Sequence, residues 1–191
     1  MKGMCGRYCI YEEKNEELRE ILDRTEGEFK IGEIFPTDKA PILIQQNGIT
    51  TPQAVIWGFP GFRGTGVIIN ARAETVPEKA MFRQSLVTKR CVVPASGFFE
   101  WSHSGPKKKY QFNLSGSGVL YMAGLYQDFN EERRFIIITT AANPSMAEVH
   151  NRMPIVLQDA ECDAWLRSRE GAIGILRTTR PDLIKEEIVT G

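Results

Sequence analysis

The sequence consists mainly of short apolar runs that turn-forming residues interrupt every few positions. Helical bundles need longer segments with an apolar residue at every third or fourth position, so this pattern favours strands. The clearest example is a predicted hairpin, in which strands at 41–45 and 53–57 flank Asn47-Gly48, a pair that favours a tight two-residue turn. Further strands are predicted at 66–69, 90–94, 98–101, 110–114, 119–125, 135–140 and 154–157.

Helices are fewer, and they are predicted at 12–24, 71–88 and 159–169. In the first, Leu18, Ile21 and Leu22 recur at helical spacing among charged residues, which indicates one buried face. Asn70 precedes the second at a strand-to-helix junction, where its side chain is expected to be the N-cap. Asp159 is expected to cap the third. No pattern predicts an element after residue 178.

Length and hydropathy limit the class of protein. The 191 residues are near the length of one typical domain. No apolar run approaches the ~20 residues of a membrane span, and no apolar stretch follows Lys2 as it would in a secretory signal. We therefore expect a single α+β domain over residues 1–191, with an antiparallel β-barrel-like core and a few flanking helices, in the cytoplasm.

Cysteine and histidine are too sparse to predict a metal centre. The four cysteines include no C-x-x-C pair, and the chain has two histidines. A zinc site with four ligands would need residues from scattered positions. The sequence therefore predicts no metal and no cofactor.

Positive charge is concentrated in the middle of the chain. The whole sequence has 24 basic and 24 acidic residues, yet residues 57–110 contain nine Lys and Arg against three Glu. The flanking segments 1–56 and 111–191 are each negative by three charges. Because the basic segment also contains Trp57 and Trp101, it has the cations and rings of a nucleic-acid surface. The alternative, which composition alone favours, is a solvated face beside ordinary core aromatics.

Three residues have the chemistry of an active site. Cys5 is a thiolate nucleophile if the neighbouring charge of Arg7 lowers its pKa. Glu100 lies in an aromatic strand, where lost solvation would raise its pKa into the range of a general acid or base. His150, at the end of a short helical turn, is a natural proton shuttle. Each also has a structural alternative: an unreactive thiol, a carboxylate on the solvent side of its strand, and a structural histidine.

Asn70 and Arg72 also have two interpretations. In the predicted helix they are the N-cap and a first-turn residue. In a functional site, the amide would orient a nucleophile and the guanidinium would hold a phosphate with two hydrogen bonds. The sequence pattern by itself favours the structural interpretation.

Six parts of the sequence, in order, resemble one known family. They are 5–8 (CGRY), 57–58 (WG), 69–75 (INARAET), 91–101 (CVVPASGFFEW), 121–125 (YMAGL), and 139–143 (TTAAN) together with 150–154 (HNRMP). This set resembles the SOS response-associated peptidase family, also called abasic-site processing proteins, and the match covers most of the chain. The resemblance implies a single α+β domain with a barrel-like core and a cationic groove for single-stranded DNA.

The resemblance also implies a reaction. Cys5, as the N-terminal residue, would trap the aldehyde of an abasic site, because its α-amine forms an imine and its thiol then closes a thiazolidine ring. Asn70 would orient Cys5, and Glu100 would move protons at the amine and the sugar. His150 would assist opening of the sugar ring and reversal of the crosslink.

The DNA contacts that the resemblance implies come from three cations and one ring. Arg7, Arg72 and Arg152 would contact DNA, the last two as phosphate holders, and Trp57 would stack on a base. The partner is single-stranded DNA that contains abasic sites. The resemblance implies no membrane and no obligatory protein partner.

The residues before Cys5 depart from the family pattern. The thiazolidine needs the free α-amine of Cys5, a group with a pKa of about 8, yet residues 1–4 (MKGM) precede it here. We expect Met4 to be the true start and to be removed; the alternative is that residues 1–4 form a leader that is cleaved. Residues 1–4 are thus a predicted leader.

Three functions follow from the sequence. The first is a covalent and slowly reversible crosslink between Cys5 and abasic sites in single-stranded DNA. The second is a thiol peptidase, acting on its own N-terminus or on other proteins, that uses Cys5 with Glu100 and His150. The third is a noncovalent single-strand-binding module in which Cys5 has no role.

Overall fold

The computed structural model describes residues 6–61, 65–102, 105–116 and 118–189. Within them the strands are Tyr8–Ile10 (β1), Gly32–Ile34 (β2), Lys39–Gln46 (β3), Ile49–Trp57 (β4), Phe59–Pro60 (β5), Val67–Ile68 (β6), Asn70–Arg72 (β7), Arg90–Ala95 (β8), Gly97–Trp101 (β9), Lys109–Leu114 (β10), Leu120–Phe129 (β11), Glu132–Ala141 (β12), Arg152–Pro154 (β13), Val156–Leu157 (β14) and Leu183–Ile188 (β15). The helices are Glu16–Asp23 (α1), Ala80–Thr88 (α2), Asp159–Arg167 (α3) and Arg169–Ile175 (α4), with a 3₁₀ turn at Glu12–Lys14.

Five strands close into a barrel. They pair in the cyclic order β12-β4-β3-β8-β11-β12, so that the ring has no free edge. Four of these pairings are antiparallel, and the one between β12 and β4, which sets Phe135 opposite Trp57, is parallel. The predicted single α+β domain with a barrel-like core and few helices is confirmed, although one pairing in the ring is not antiparallel.

The β3–β4 hairpin has the predicted turn. Asn47 and Gly48 both have positive φ, 50° and 81°, as the tight two-residue turn requires. The two strands stay in register from Gln46 opposite Ile49 to the far end of the ladder. This hairpin supplies two neighbouring strands of the barrel.

A second sheet contains strands that the sequence pattern does not reveal. Its order is β15-β10-β9-β1-β2, and all its pairings are antiparallel. β1 has three residues, and β15 contains Lys185 and two glutamates, so neither has the apolar alternation of a typical strand. Ser96, the single residue between β8 and β9, connects this sheet to the barrel.

The predicted helix at 71–88 is wrong in its first half. Asn70–Arg72 forms β7, which pairs in parallel with β12 and sets Asn70 opposite Ile137. Turns follow, and α2 begins only at Ala80. Asn70 is therefore a strand residue and not an N-cap. The pairing with β12, a strand that is distant in sequence, provides hydrogen-bond partners for the backbone of residues 70–72. The local residue pattern instead predicts helical hydrogen bonds from residue 71 onward.

The other helices match the predictions with shifted ends. α1 is capped by the side chain of Asn15, and the 3₁₀ turn occupies the residues before it. α3 is capped by Gln158 rather than Asp159, in a capping box with Glu161. α3 ends two residues before the predicted end, at Arg167, and Ser168 then caps α4, a helix that the sequence analysis did not predict.

The core is one continuous cluster of apolar side chains that includes Trp57, Phe135 and Trp165. A fully buried side chain such as Phe135 contributes about 1.5–3 kcal/mol to folding. The indole of Trp165 donates to the Cys91 carbonyl at 2.8 Å and thereby joins α3 to β8. None of the helices formed by the described residues has the length and apolar character needed to cross a bilayer.

Candidate functional site

The first described residues lead directly to Glu100. β1 pairs with β9, and the N–H of Phe99 donates to the Arg7 carbonyl at 2.9 Å. Continued by two residues past Tyr8, which lies opposite Phe98, this antiparallel register sets Gly6 level with Glu100. Cys5 lies outside the described residues, and it is the residue bonded to Gly6. The fold therefore brings the chain that carries Cys5 to the strand that carries Glu100.

Glu100 is buried, with 6% of its surface exposed. It lies opposite Tyr110 of β10 and between the aromatic residues Phe99 and Trp101 of its own strand. Burial excludes the alternative of a carboxylate on the solvent side of β9. Taking a carboxylate out of water costs free energy, and buried titratable groups of this kind are concentrated at functional sites, so Glu100 stays a candidate for a chemical role.

Trp57 is part of the scaffold, and the prediction that it stacks on a DNA base is wrong. It is fully buried, stacked on Phe135 at 6.3 Å and in edge contact with Tyr8 at 5.1 Å. Its indole N–H donates to the Ile69 carbonyl at 3.1 Å. Trp57 therefore connects β1, which leads to Cys5, with the residue next to Asn70 in the chain.

β7, β12 and β13 lie side by side and bring further predicted residues together. Thr139 of β12 is opposite Arg72 of β7 on one side and Pro154 of β13 on the other. Asn70 is half-buried on β7, and Arg72 is exposed. The guanidinium of Arg152 crosses to β12, where it donates to the Thr139 carbonyl at 2.8 Å. Asn70, Arg72 and Arg152 therefore belong to one three-stranded edge of the sheet.

Arg152 forms a two-pronged ion pair with Glu74. Nη1 donates to Oε1 and Nη2 donates to Oε2, the second at 2.9 Å. The hydrogen bond from Arg152 outweighs the effect of burial and holds the pKa of Glu74 below its ordinary value, with a smaller contribution from Arg72. Arg72 itself forms no salt bridge with any residue in the described ranges. Of the two predicted phosphate holders, Arg152 is thus paired directly with Glu74, whereas Arg72 acts on the same carboxylate only at longer range.

His150 ends a turn that follows β12. The backbone N–H of His150 donates to the Met146 carbonyl at 3.1 Å, and the ring Nδ1 accepts a hydrogen bond from the backbone N–H of Arg152 at 3.0 Å. Since Nδ1 accepts a hydrogen bond, the proton of the neutral ring is on Nε2. A pocket of about 400 Å³ lies beside the ring, lined also by Glu148 and Asn151. The residue is half-buried, and the hydrogen bond accepted by Nδ1 holds the ring in one orientation.

Cations and rings meet on the sheet formed by β1, β2, β9 and β10. The guanidinium of Arg7 lies 4.3 Å from the Phe35 ring centre and 4.9 Å from that of Trp101. The ammonium of Lys109 lies 4.0 Å from the Phe99 ring, and that of Lys30 lies 4.6 Å from the Phe35 ring. We call this surface the cation–aromatic face, defined by Arg7, Lys30, Phe35, Trp101 and Lys109.

Glu33 links two cations of the cation–aromatic face. Its carboxylate accepts from Arg7 at 3.0 Å and also from Lys109. Burial opposes ionisation of Glu33, but the two cations outweigh it, so its pKa lies below the ordinary value. Lys30 and Phe35 lie far from the basic segment in sequence, and no linear signal marks them. The sequence analysis missed both for that reason.

The described residues contain no group of three His, Cys, Asp or Glu side chains that could hold a metal ion.

Comparison with protein families shows which family the chain belongs to. The model of the family described as SOS response associated peptidase (SRAP) matches residues 4–185. The chain belongs to this family. The six sequence motifs thus identify the SRAP family correctly.

Individual SRAP relatives match most of the chain. The chain is 32% identical over 182 residues to the abasic site processing protein YoqW of Bacillus subtilis, covering 87% of this chain and 81% of YoqW. It is 28% identical to the abasic site processing protein YedK of Escherichia coli, covering 86% and 80%. A solved structure from Bordetella bronchiseptica has a TM-score of 0.81 at 20% identity and covers 97% of this chain and all of its own. That likeness supports the fold alone.

Proposed function

We propose that this protein processes abasic sites by forming a covalent, slowly reversible crosslink between Cys5 and single-stranded DNA. The β1–β9 register is the observation that supports it most directly, because it leads the chain that bears Cys5 to buried Glu100. Relatives named as abasic site processing proteins support the same substrate. The protein would act in the form that begins at Cys5.

The reaction needs two groups from one residue. The α-amine of Cys5 attacks the aldehyde of the open abasic sugar, and water leaves as the imine forms. The thiol then adds to the imine carbon and its proton goes to the nitrogen, which closes the five-membered thiazolidine. An internal cysteine has no free amine and would give only a reversible hemithioacetal.

The predicted residues fit distinct roles around this reaction. Glu100 would accept the proton that the amine releases and return one to the departing water. The amide of Asn70 would orient the amine or thiol of Cys5. His150 would donate from Nε2 to the ring oxygen of the sugar as it opens, because Nδ1 already accepts a backbone hydrogen bond. In reverse, the same groups would release the aldehyde.

The cation–aromatic face would bind the strand beside this centre. Phe35 is exposed and Trp101 is half-buried, so each has ring surface available to a base. Arg7 and Lys30 lie against these rings and would meet the phosphates. Base stacking contributes about 1–3 kcal/mol for each base, and phosphate contacts make binding sensitive to salt. Trp101 and Phe35 thus take the stacking role that the sequence suggests for Trp57.

A direct experiment tests the crosslink. Protein that begins at Cys5 is incubated with a single-stranded oligonucleotide containing an abasic site, heated in detergent and separated by electrophoresis. We expect a shifted band that Cys5→Ala abolishes and that protein retaining residues 1–4 does not give. Wild-type protein that binds the oligonucleotide but yields no heat-stable band would overturn the proposal and favour a noncovalent binding module.

A thiol peptidase is the second function to test, because the family description itself contains that activity. It would use Cys5 as nucleophile with His150 and Glu100 as proton carriers. It predicts that residues 1–4 are lost from wild-type protein over time and retained in Cys5→Ala. Intact mass spectrometry of both proteins separates this activity from crosslinking, and a stable wild-type leader would exclude self-processing.

A further inference from the structure

A pocket lies beside the proposed reactive centre, and the function proposed above assigns no ligand to it. It has a volume of about 520 Å³ and lies between β7 and the first turn of α2, within the range of about 300–1,000 Å³ that small-ligand sites occupy. Its lining is mainly apolar and includes Ile68, Ala71, Ala80, Met81 and Phe82. Asn70 and Arg72 of the proposed reactive centre also belong to its wall.

The walls of this pocket are held in place. The Phe82 ring is buried and packs at 6.4 Å against Phe59. The side chain of Gln127 on β11 donates to the Met81 carbonyl at 2.7 Å, which fixes the first turn of α2 against the barrel. A preformed pocket loses little conformational entropy when a ligand enters. Such a site is suited to one rigid ligand.

The charges around the pocket favour an anion. Arg72 and Lys79 are both exposed in its lining, and the described residues of the lining include no acidic side chain; the nearby Glu74, outside the lining, is held by Arg152. Neither cation forms a salt bridge with a residue in the parts of the chain that the structure describes. A flat apolar ring with an attached phosphate matches this combination of walls and rim.

We propose that this pocket binds the nucleobase of the nucleotide next to the abasic site. The base would lie against the thioether of Met81 and the ring of Phe82, since sulfur and aromatic groups both make favourable contacts with a π-system. Its phosphate would meet Arg72 and Lys79. This inference rests on the proposed function, because Asn70 on the same strand would act on the abasic sugar. The inference adds that the protein binds the base of a neighbouring nucleotide in addition to the abasic sugar.

The first test fills the pocket. Ala80→Phe adds a ring at its wall, and Gln84→Phe adds the same ring at an exposed position of α2 as the matched control. Binding is measured by fluorescence anisotropy with single strands that contain a tetrahydrofuran abasic analogue, which has no aldehyde and cannot crosslink. One strand keeps both flanking bases, a second lacks the 5′ flanking base, and a third lacks the 3′ one.

We expect Ala80→Phe to weaken binding of the fully based strand about tenfold, the effect of losing one stacked base. For one of the two strands that lack a flanking base, Ala80→Phe should change the affinity by less than about twofold. The base that this strand lacks, 5′ or 3′, is the one that the pocket binds. Gln84→Phe should bind all three strands like wild type. An equal loss on all strands, or no loss at all, would overturn the proposal.

The second test needs neither the substitution nor the crosslink. Wild-type protein with ¹³C-methyl methionine is titrated with deoxyadenosine monophosphate, and the methyl resonances are followed by NMR. We expect a saturable shift of Met81, while the fully buried Met122, Met146 and Met153 stay unchanged. No Met81 shift would refute the pocket. A Met81 shift in a protein that forms no abasic crosslink would refute the proposed function and leave the pocket standing.

Discussion

The guanidinium of Arg152 is held by the carboxylate of Glu74 through two parallel hydrogen bonds, the geometry in which it would otherwise hold a phosphate. The Glu74 side chain is 51% exposed, so solvent weakens the pair and its net contribution to stability is about 0–1 kcal/mol. A DNA phosphate could therefore replace Glu74 with little loss to the fold. We therefore expect Glu74 to compete with a DNA phosphate for Arg152.

Glu74→Gln should strengthen binding of single-stranded DNA, because it releases Arg152 and removes one negative charge. We expect affinity to rise several-fold at low salt, and the slope of log affinity against log salt to become steeper by about 0.7, the value of one added phosphate contact. Fluorescence anisotropy at four salt concentrations measures both. Glu78→Gln, an exposed neighbour, is the control for a general charge effect. Weaker binding by Glu74→Gln would mean that the carboxylate positions Arg152 for DNA.

Substitutions of Trp57 and Trp101 should have different effects, the first on the free energy of unfolding and the second on the affinity for DNA. Trp57→Phe leaves a gap in the core and removes the hydrogen bond to Ile69, so we expect the free energy of unfolding to fall by about 1–3 kcal/mol with unchanged affinity for DNA. Trp101→Ala should instead weaken binding by about 1–3 kcal/mol. Urea titration and anisotropy with an intact oligonucleotide measure the two effects. A loss of affinity in folded Trp57→Phe would restore the stacking role predicted from sequence.

Glu33 should give the fold an acid-dependent contribution. Its pKa in the folded protein lies below the ordinary value of 4.5, so the ionised carboxylate adds stability above that pH. The contribution is lost as the pH falls through the lower, folded-state pKa. We expect Glu33→Gln to cost less than about 1 kcal/mol at pH 7, since solvent reaches the carboxylate, and we expect this cost to shrink as the pH is lowered from 7 toward about 2.

Urea unfolding of wild type and Glu33→Gln across this pH range measures the difference. Glu28→Gln, at an exposed position, should follow wild type throughout and serves as its control. A difference between wild type and Glu33→Gln that stays constant down to pH 2 would show that ionisation of Glu33 does not stabilise the fold.

Asn143 should position His150 through the turn between them. Its buried amide donates to the carbonyls of Arg180 at 3.1 Å and Pro181 at 2.9 Å, and its own carbonyl begins the turn. Asn143→Ala leaves two acceptors without their donor, so we expect a loss of about 1–3 kcal/mol in the free energy of unfolding. Displacement of His150 should also slow crosslink reversal in the protein that remains folded.

Equilibrium urea unfolding and the rate of DNA release from purified crosslink measure these two effects. Asn151→Ala, whose side chain is exposed in the same turn, is expected to stay within about 0.5 kcal/mol of wild type. Normal stability and a normal release rate in Asn143→Ala would exclude the positioning role.

Local sequence predicts the elements whose signals are local. The Asn47-Gly48 turn follows from the positive φ that both residues adopt readily, and the buried face of α1 follows from the spacing of Leu18, Ile21 and Leu22. The same reasoning fails at 71–88. There the helical spacing is weaker than the pairing of Asn70 with Ile137, a partner that no local window contains.

The sequence by itself determined the barrel-like fold class and the family, and it supplied the candidate site residues. Only the tertiary structure decided which aromatic residues face solvent: Trp57 is buried against Tyr8, while Phe35 and Trp101 lie with Arg7 at the surface. The tertiary structure also joined Arg152 to Glu74 across three strands. The physical reason is that burial and ion pairing depend on strand register over long sequence distances, whereas composition and motifs record only the neighbours along the chain.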